Sequence, residues 1–109
     1  MSQPALPAGL QPLMLRAQIE PSPDAVAEQL RAEGVEPYSW SNGPGDLYGA
    51  HSHEYTKLLM CAAGSITFLV GDAEEAVALL PGEGFVLPAG TRHAANVGPE
   101  GCTCLEGHR

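Results

Sequence analysis

Turn-forming residues divide this chain into short pieces from Val35 onward, and that punctuation constrains the fold more than any other feature. Ser41-Asn42-Gly43-Pro44-Gly45, Gly64-Ser65, Gly71-Asp72, Pro81-Gly82 and Pro88-Ala89-Gly90 are the main breaks, drawn from 13 Gly and 10 Pro in a chain of 109 residues. Between them lie Tyr38–Trp40, Leu47–Ala63, Ile66–Val70, Ala76–Leu80, Phe85–Leu87, Ala94–Val97 and Cys102–Leu105. Leu47–Ala63 reads as one strand-rich stretch bent in its middle and ended by Gly64-Ser65. Short strands at near-regular spacing predict an all-β barrel or sandwich rather than a helical bundle. The length allows one domain, which buries roughly two thirds of its unfolded surface and so forms a real core without disulfide staples.

Upstream the pattern differs. Residues 1–20, with Pro4, Pro7 and Pro12, carry little periodicity and read as an arm or edge segment ahead of a single domain at 21–109. One helix follows. Ser22 can cap it, Pro23 suits its first position, Asp24 suits the positive end of its dipole, and Gly34 suits the stop. Val26, Ala27 and Leu30 form a narrow apolar stripe, so the helix is expected to pack on the outside of something larger.

A net charge of −8 with only five Lys and Arg argues against nucleic acid as a partner, because phosphate binding needs clustered cations. Residues 1–15 lack a basic start and an unbroken apolar stretch, and no later run reaches membrane-spanning length, so a cytoplasmic protein is expected. Cys61, Cys102 and Cys104 are an odd number and read as reduced thiols. Cys102 and Cys104 share one strand face; a metal or redox role for them is the alternative, against which stands the lack of a known zinc-site spacing.

His51-Ser52-His53 carries the chemistry. Residues i and i+2 of a strand face the same side, so both imidazoles can share one ion. His93 follows the Pro88-Ala89-Gly90 turn about forty positions later. Neutral imidazole is the commonest protein ligand for zinc, iron, nickel and copper. From the pair alone, two exposed histidines without a role is the alternative.

The stretch Gly45-x5-His51-x-His53-x3-Lys57-x6-Gly64 resembles the first motif of the cupin superfamily, and Gly82-x5-Pro88-x-Gly90-x2-His93-x2-Asn96 resembles the second. A spacer of residues 65–81 separates them, typical of small bacterial cupins of the RmlC-like kind. The resemblance implies a double-stranded β-helix, or jelly-roll barrel, with one divalent transition metal (Fe, Mn, Ni, Zn or Cu) inside, held by His51, His53 and His93. It also implies a homodimer, which the apolar segment Leu10–Ile19 would favour if a lone barrel gives it no cover.

One position departs from the motif. The family usually places a glutamate ligand where this chain has Lys57, and alternation from His53 points Lys57 inward. At an effective dielectric near 20 and about 5 Å, each unit charge pair is worth roughly 3 kcal/mol, so repulsion from a dication is about twice that. The amine must then lose its proton, turn to an acid, or meet a bound anion, or else the metal binds weakly. Glu54 should face outward unless a bulge shifts the register, and Glu106 is the other acid that could replace the absent carboxylate. Tyr55, between His53 and Lys57, could line the cavity. Lys57 and Tyr55 are therefore the candidate catalytic groups. Trp40 and Tyr38 read as core or dimer-interface residues, Phe68, Phe85 and Leu79-Leu80 as core, Glu83 as a solvated turn residue and His108 as terminal disorder.

Two functions are compatible with these features. One is a metal-dependent enzyme acting on a small, anionic organic molecule, with dioxygenase-like chemistry at a three-histidine metal and Lys57 drawing in a carboxylate. The other is a non-catalytic module that binds or senses a small molecule or metal.

Overall fold

The computed structural model describes residue 6 and residues 9–109. Its elements, in chain order, are β1 (Gln11–Met14), α1 (Pro23–Ala32), β2 (Tyr38–Asn42), β3 (Leu47–His51), β4 (Lys57–Val70), β5 (Glu75–Leu79), β6 (Glu83–Leu87) and β7 (His93–His108). All strand pairs are antiparallel: β1 on β6, β6 on β4, β4 on β7 and β7 on β2, with β3 also on β7 and β5 also on β4. This is a jelly-roll barrel with one helix outside it.

β4 and β7 form the spine. They stay paired from Lys57↔His108 to Val70↔His93, with register shifts between Cys61 and Ala63 and between Gly64 and Ile66. The expected break at Gly64-Ser65 is therefore a corner inside one strand, and Ala94–Val97 and Cys102–Leu105 are likewise two arms of β7. A corner needs a glycine here for two reasons. Gly64 has φ +71°, and a Cβ on it would lie 2.0 Å from the Gly101 carbonyl oxygen. At the other end, the expected strand Leu47–Ala63 is interrupted at residues 52–56, which lie outside any strand.

The first half of β4 is buried on both faces. Leu59 and Cys61 point into the barrel with Phe68, Phe85, Leu87 and Cys104, while Leu58, Met60 and Ala62 point outward to Val26 and Leu30 of α1. That explains the unbroken apolar run Leu58–Ala62, which alternation alone would not produce. The helix starts as its residues dictate: Ser22 Oγ accepts the Ala25 N–H at 3.1 Å, and Pro23 occupies the first turn. Burying its two large apolar side chains against β4 contributes on the order of 2 kcal/mol each.

The segment before α1 is tied into the barrel. β1 pairs with β6, and Leu10 and Leu13 are each 5% exposed. The barrel thus covers part of the apolar segment from which pairing with a second copy was expected. Leu79 is core, but Leu80 is 58% exposed, because the strand ends and the chain turns at Pro81-Gly82. Glu83 opens β6 and accepts the Leu80 N–H. All three cysteines are free and buried. No helix among the described residues is long and apolar enough to cross a membrane.

Candidate metal centre

Three pieces of chain meet at the open end of the barrel. β3 brings His51, the segment 52–56 brings His53, and the start of β7 brings His93. His51 stands opposite His93 in the β3–β7 register, which slips between Tyr48 and His51: three steps on β3 span two on β7. This bulge lets β3 turn its last side chain toward the cavity. His53 arrives differently from expectation, since it lies beyond the end of the strand. The Pro88-Ala89-Gly90 turn holds it: Gly90 N–H donates to the His53 carbonyl at 2.7 Å, and the turn itself closes from Thr91 N to Pro88 O. Gly90 has φ +80°, as the third residue of such a turn requires.

The imidazoles converge. Ring centroids are 4.3 Å apart for His51 and His93, 4.8 Å for His51 and His53, and 5.2 Å for His53 and His93. One ligand nitrogen from each lies within 4.8 Å of the others. Metal–nitrogen bonds of about 2.1 Å require the widest of these separations to close by roughly 1.5 Å.

Two further features fit a cation. The Nδ1 atoms of His51 and His93 face the carbonyl oxygens of Gly49 at 2.7 Å and Thr91 at 3.0 Å, so Nδ1 carries the proton and donates, leaving Nε2 its lone pair. His93 Nε2 is buried and has no hydrogen-bond partner among the described residues. A lone pair left so is costly unless something binds it. Burial lowers the His93 pKa to about 4, with the Lys57 charge acting the same way against the Thr91 bond. Burial and Lys57 also lower that of His53. Both rings are neutral at pH 7, the form that binds metals. The donor set suits a borderline transition metal.

Lys57 points into the cavity, as alternation predicts, and is 8% exposed. It has turned to an acid: its Nζ lies 3.6 Å from Glu106 Oε1. At an effective dielectric of 20 this pair gains between about 4 and 5 kcal/mol before the cost of desolvation. Glu106, considered from sequence as a substitute ligand, is not among the residues gathered to hold a metal. Its Oε1 accepts from Trp40 Nε1 at 2.8 Å, and its Oε2 accepts from the Tyr38 hydroxyl at 2.7 Å and contacts His108 Nε2 at 2.7 Å. Burial alone would raise the Glu106 pKa. Bonds from His108 and Tyr38, the Lys57 charge and the Trp40 bond outweigh it and hold the group below the usual glutamate range.

A cavity of about 190 Å³ opens beside the histidines. His51, His93, Lys57 and Glu106 supply its polar wall, and Trp40, Tyr48 and Phe68 its aromatic one. Tyr48 escaped sequence reasoning because strict alternation from His51 puts it on the other face; the bulge between them cancels that parity. Trp40, expected in core or interface, packs against the inner core cluster and is also a cavity wall and a Glu106 donor. Tyr55 does not line the cavity. It stacks on His53 at 4.8 Å and on His108 at 3.8 Å. His108 is not terminal disorder: it is the last residue of β7, and alternation from Glu106 would have turned it inward. Glu54 is exposed, as expected.

Fold and site together define a jelly-roll barrel with three histidines positioned to hold a metal ion at its mouth. The cupin-domain family model matches residues 40–107, and the chain belongs to the cupin family. No curated protein is a significant match in sequence. Among solved structures, the DMSP lyase DddQ from Ruegeria pomeroyi DSS-3 is 25% identical with a TM-score of 0.61, over 67% of this chain and 36% of that one. A chain from the crystal structures of the DMSP lyases RdDddP and RnDddQII is 29% identical with a TM-score of 0.58, again over 67% and 36%. An RmlC-like cupin from Shewanella frigidimarina NCIMB 400, 18% identical with a TM-score of 0.60, covers 68% of this chain and 64% of its own. The chain thus spans about a third of the length of the lyases it is similar to.

Proposed function

We propose that this cupin binds one divalent transition metal through His51, His53 and His93 and acts on a small anionic organic molecule beside it. The buried Nε2 of His93, without a hydrogen-bond partner among the described residues and grouped with two more imidazoles, carries the reading. When bound, the metal supplies Lewis acidity toward an oxygen of the ligand. The chain's own residues do the rest. Lys57 offers N–H donors to a carboxylate, Glu106 holds that ammonium in the wall, and Trp40, Tyr48 and Phe68 exclude water from the ligand's remaining surface. The cavity is smaller than the 300 Å³ or so at which drug-sized sites begin, which limits the ligand to a small acid. Because Glu106 already balances Lys57, the lysine orients the acid, and the main attraction would come from the bound metal. Lyases at 25 and 29% identity support screening eliminations from small carboxylates before oxygenations.

The test uses protein purified without a His-tag. Elemental analysis should find one of Fe, Mn, Ni, Zn or Cu at close to one ion per chain, and His93→Ala should lose it while keeping the strand signature in circular dichroism. Full metal content in that variant would sink the assignment. For the ligand, Lys57→Met is the informative change. A glutamate there, although it restores the usual cupin residue, would face Glu106 across a buried gap. Lys57→Met should bind small carboxylates about tenfold more weakly at unchanged metal content. Equal affinity would remove Lys57 from the site. Tight carboxylate binding without turnover would place the chain among binding modules rather than enzymes.

A further inference from the structure

The three ligand histidines are not held alike. His51 and His93 each have Nδ1 anchored on a backbone carbonyl, whereas no hydrogen bond from a described residue orients the His53 ring. His53 also lies outside the strands, in the segment 52–56. What it has is a stack of rings. Tyr55 lies over it nearly parallel, at 16° and 4.8 Å, and His108 lies over the far side of Tyr55, at 25° and 3.8 Å. His108 is itself fixed on three sides. Its Nε2 meets Glu106 Oε2 at 2.7 Å, the Tyr38 ring stands perpendicular to it at 5.5 Å with its hydroxyl 3.1 Å from Nε2, and its backbone belongs to β7 opposite Lys57. The next residue completes the attachment, since Thr56 and Arg109 exchange both N–H···O bonds at 2.9 Å.

We propose that His108 is a positioning residue of the metal centre: through Tyr55 it sets the plane of the His53 ring, replacing the backbone anchor that His53 lacks. The same imidazole braces Glu106, which holds Lys57, so one residue at the end of β7 supports both the metal side and the ligand side of the cavity. The inference rests on the metal reading above and adds to it a residue remote from the ion. Its chemistry is simple. Nε2–H donates to the Glu106 carboxylate, the Tyr38 hydroxyl donates to the same oxygen, and the ring face is left free for Tyr55. Supporting partners of this kind fix a ligand's orientation, and a ligand free to rotate pays that entropy on binding.

The experiment titrates Co2+ into the metal-free full chain, reading affinity and the visible d–d bands, with thermal melting beside it. His93→Ala is the control for the metal reading and should abolish the bands. His108→Ala should weaken Co2+ about tenfold, the lower end of what losing a ligand's supporting partner costs, and should shift the bands. Tyr55→Ala, which lies outside the strands and spares the sheet if His108→Ala proves unstable, should do the same. His108→Phe keeps the stacked ring and discards the Glu106 bond, so it should return affinity to within about threefold of the parent. The proposal is overturned if His108→Ala or Tyr55→Ala matches the parent in affinity and spectrum while His93→Ala loses the metal. A His108→Phe variant as weak as His108→Ala also overturns it. If His93→Ala itself keeps Co2+, the metal reading has failed, and this inference with it.

Discussion

Glu106 is the residue on which most of the polar wall depends. Four side chains meet its two oxygens, and removing its charge leaves Lys57 buried without a counterion. Its folded-state pKa lies below the ordinary 4.5, so the stability it contributes is present above that value. It is lost as the pH falls from there through the lowered, folded value. Glu106→Gln should therefore be less stable than the parent at neutral pH, by roughly 3–5 kcal/mol for breaking a buried pair. The two should converge in acid, where the parent's carboxyl is protonated. Denaturant melts at neutral pH and at successively lower pH measure this, and a gap that stays constant as the pH falls would mean that Glu106 is not the titrating group. Much of this residue-level picture was legible in the sequence. Alternation placed Lys57 inward and left pairing with an acid as one of several outcomes. It did not say which acid, because that depends on β4 and β7 lying in register over their whole length.

Among the elements, β4 and β7 differ most from their sequence signatures. Each carries a glycine that looks like a stop, and each continues through it. Gly64 in particular combines a left-handed backbone with contact against the Gly101 carbonyl, so Gly64→Ala strains φ and forces the corner open. We expect a loss on the order of 2–4 kcal/mol, read as a lower melting temperature with cavity residues unchanged. A variant that melts like the parent would show that the corner has slack. Sequence periodicity cannot separate a corner from a reversal, since both need the same turn chemistry. What differs is whether the two arms keep one partner, and that is a long-range fact. The helix, by contrast, was readable almost to the residue, because its cap, its proline and its stripe are all local. The candidate site falls between these cases. The histidine spacing was plain, but the bulge that admits Tyr48 and the end of β7 that supports His53 follow only from pairing.

At the scale of the whole molecule, a compact barrel still leaves Leu47 76%, Leu80 58% and Tyr38 50% exposed. We expect these to be covered in a homodimer, although the barrel itself covers Leu10 and Leu13. Sedimentation at micromolar concentration should show a species of twice 11.4 kDa, and a lone 11.4 kDa boundary would refute pairing. β3 pairs with β7 alone, and every one of its five residues is exposed. Little apolar area therefore holds it, and it can fray at a small fraction of the free energy needed to unfold the core. His51 rides on that strand. The proposed ion would enter or leave when a single strand lifts and re-zips, while the segment 52–56, anchored at Gly90, and the buried His93 stay in place. Exchange of the metal would follow the local opening rate of one edge, decoupled from the lifetime of the fold.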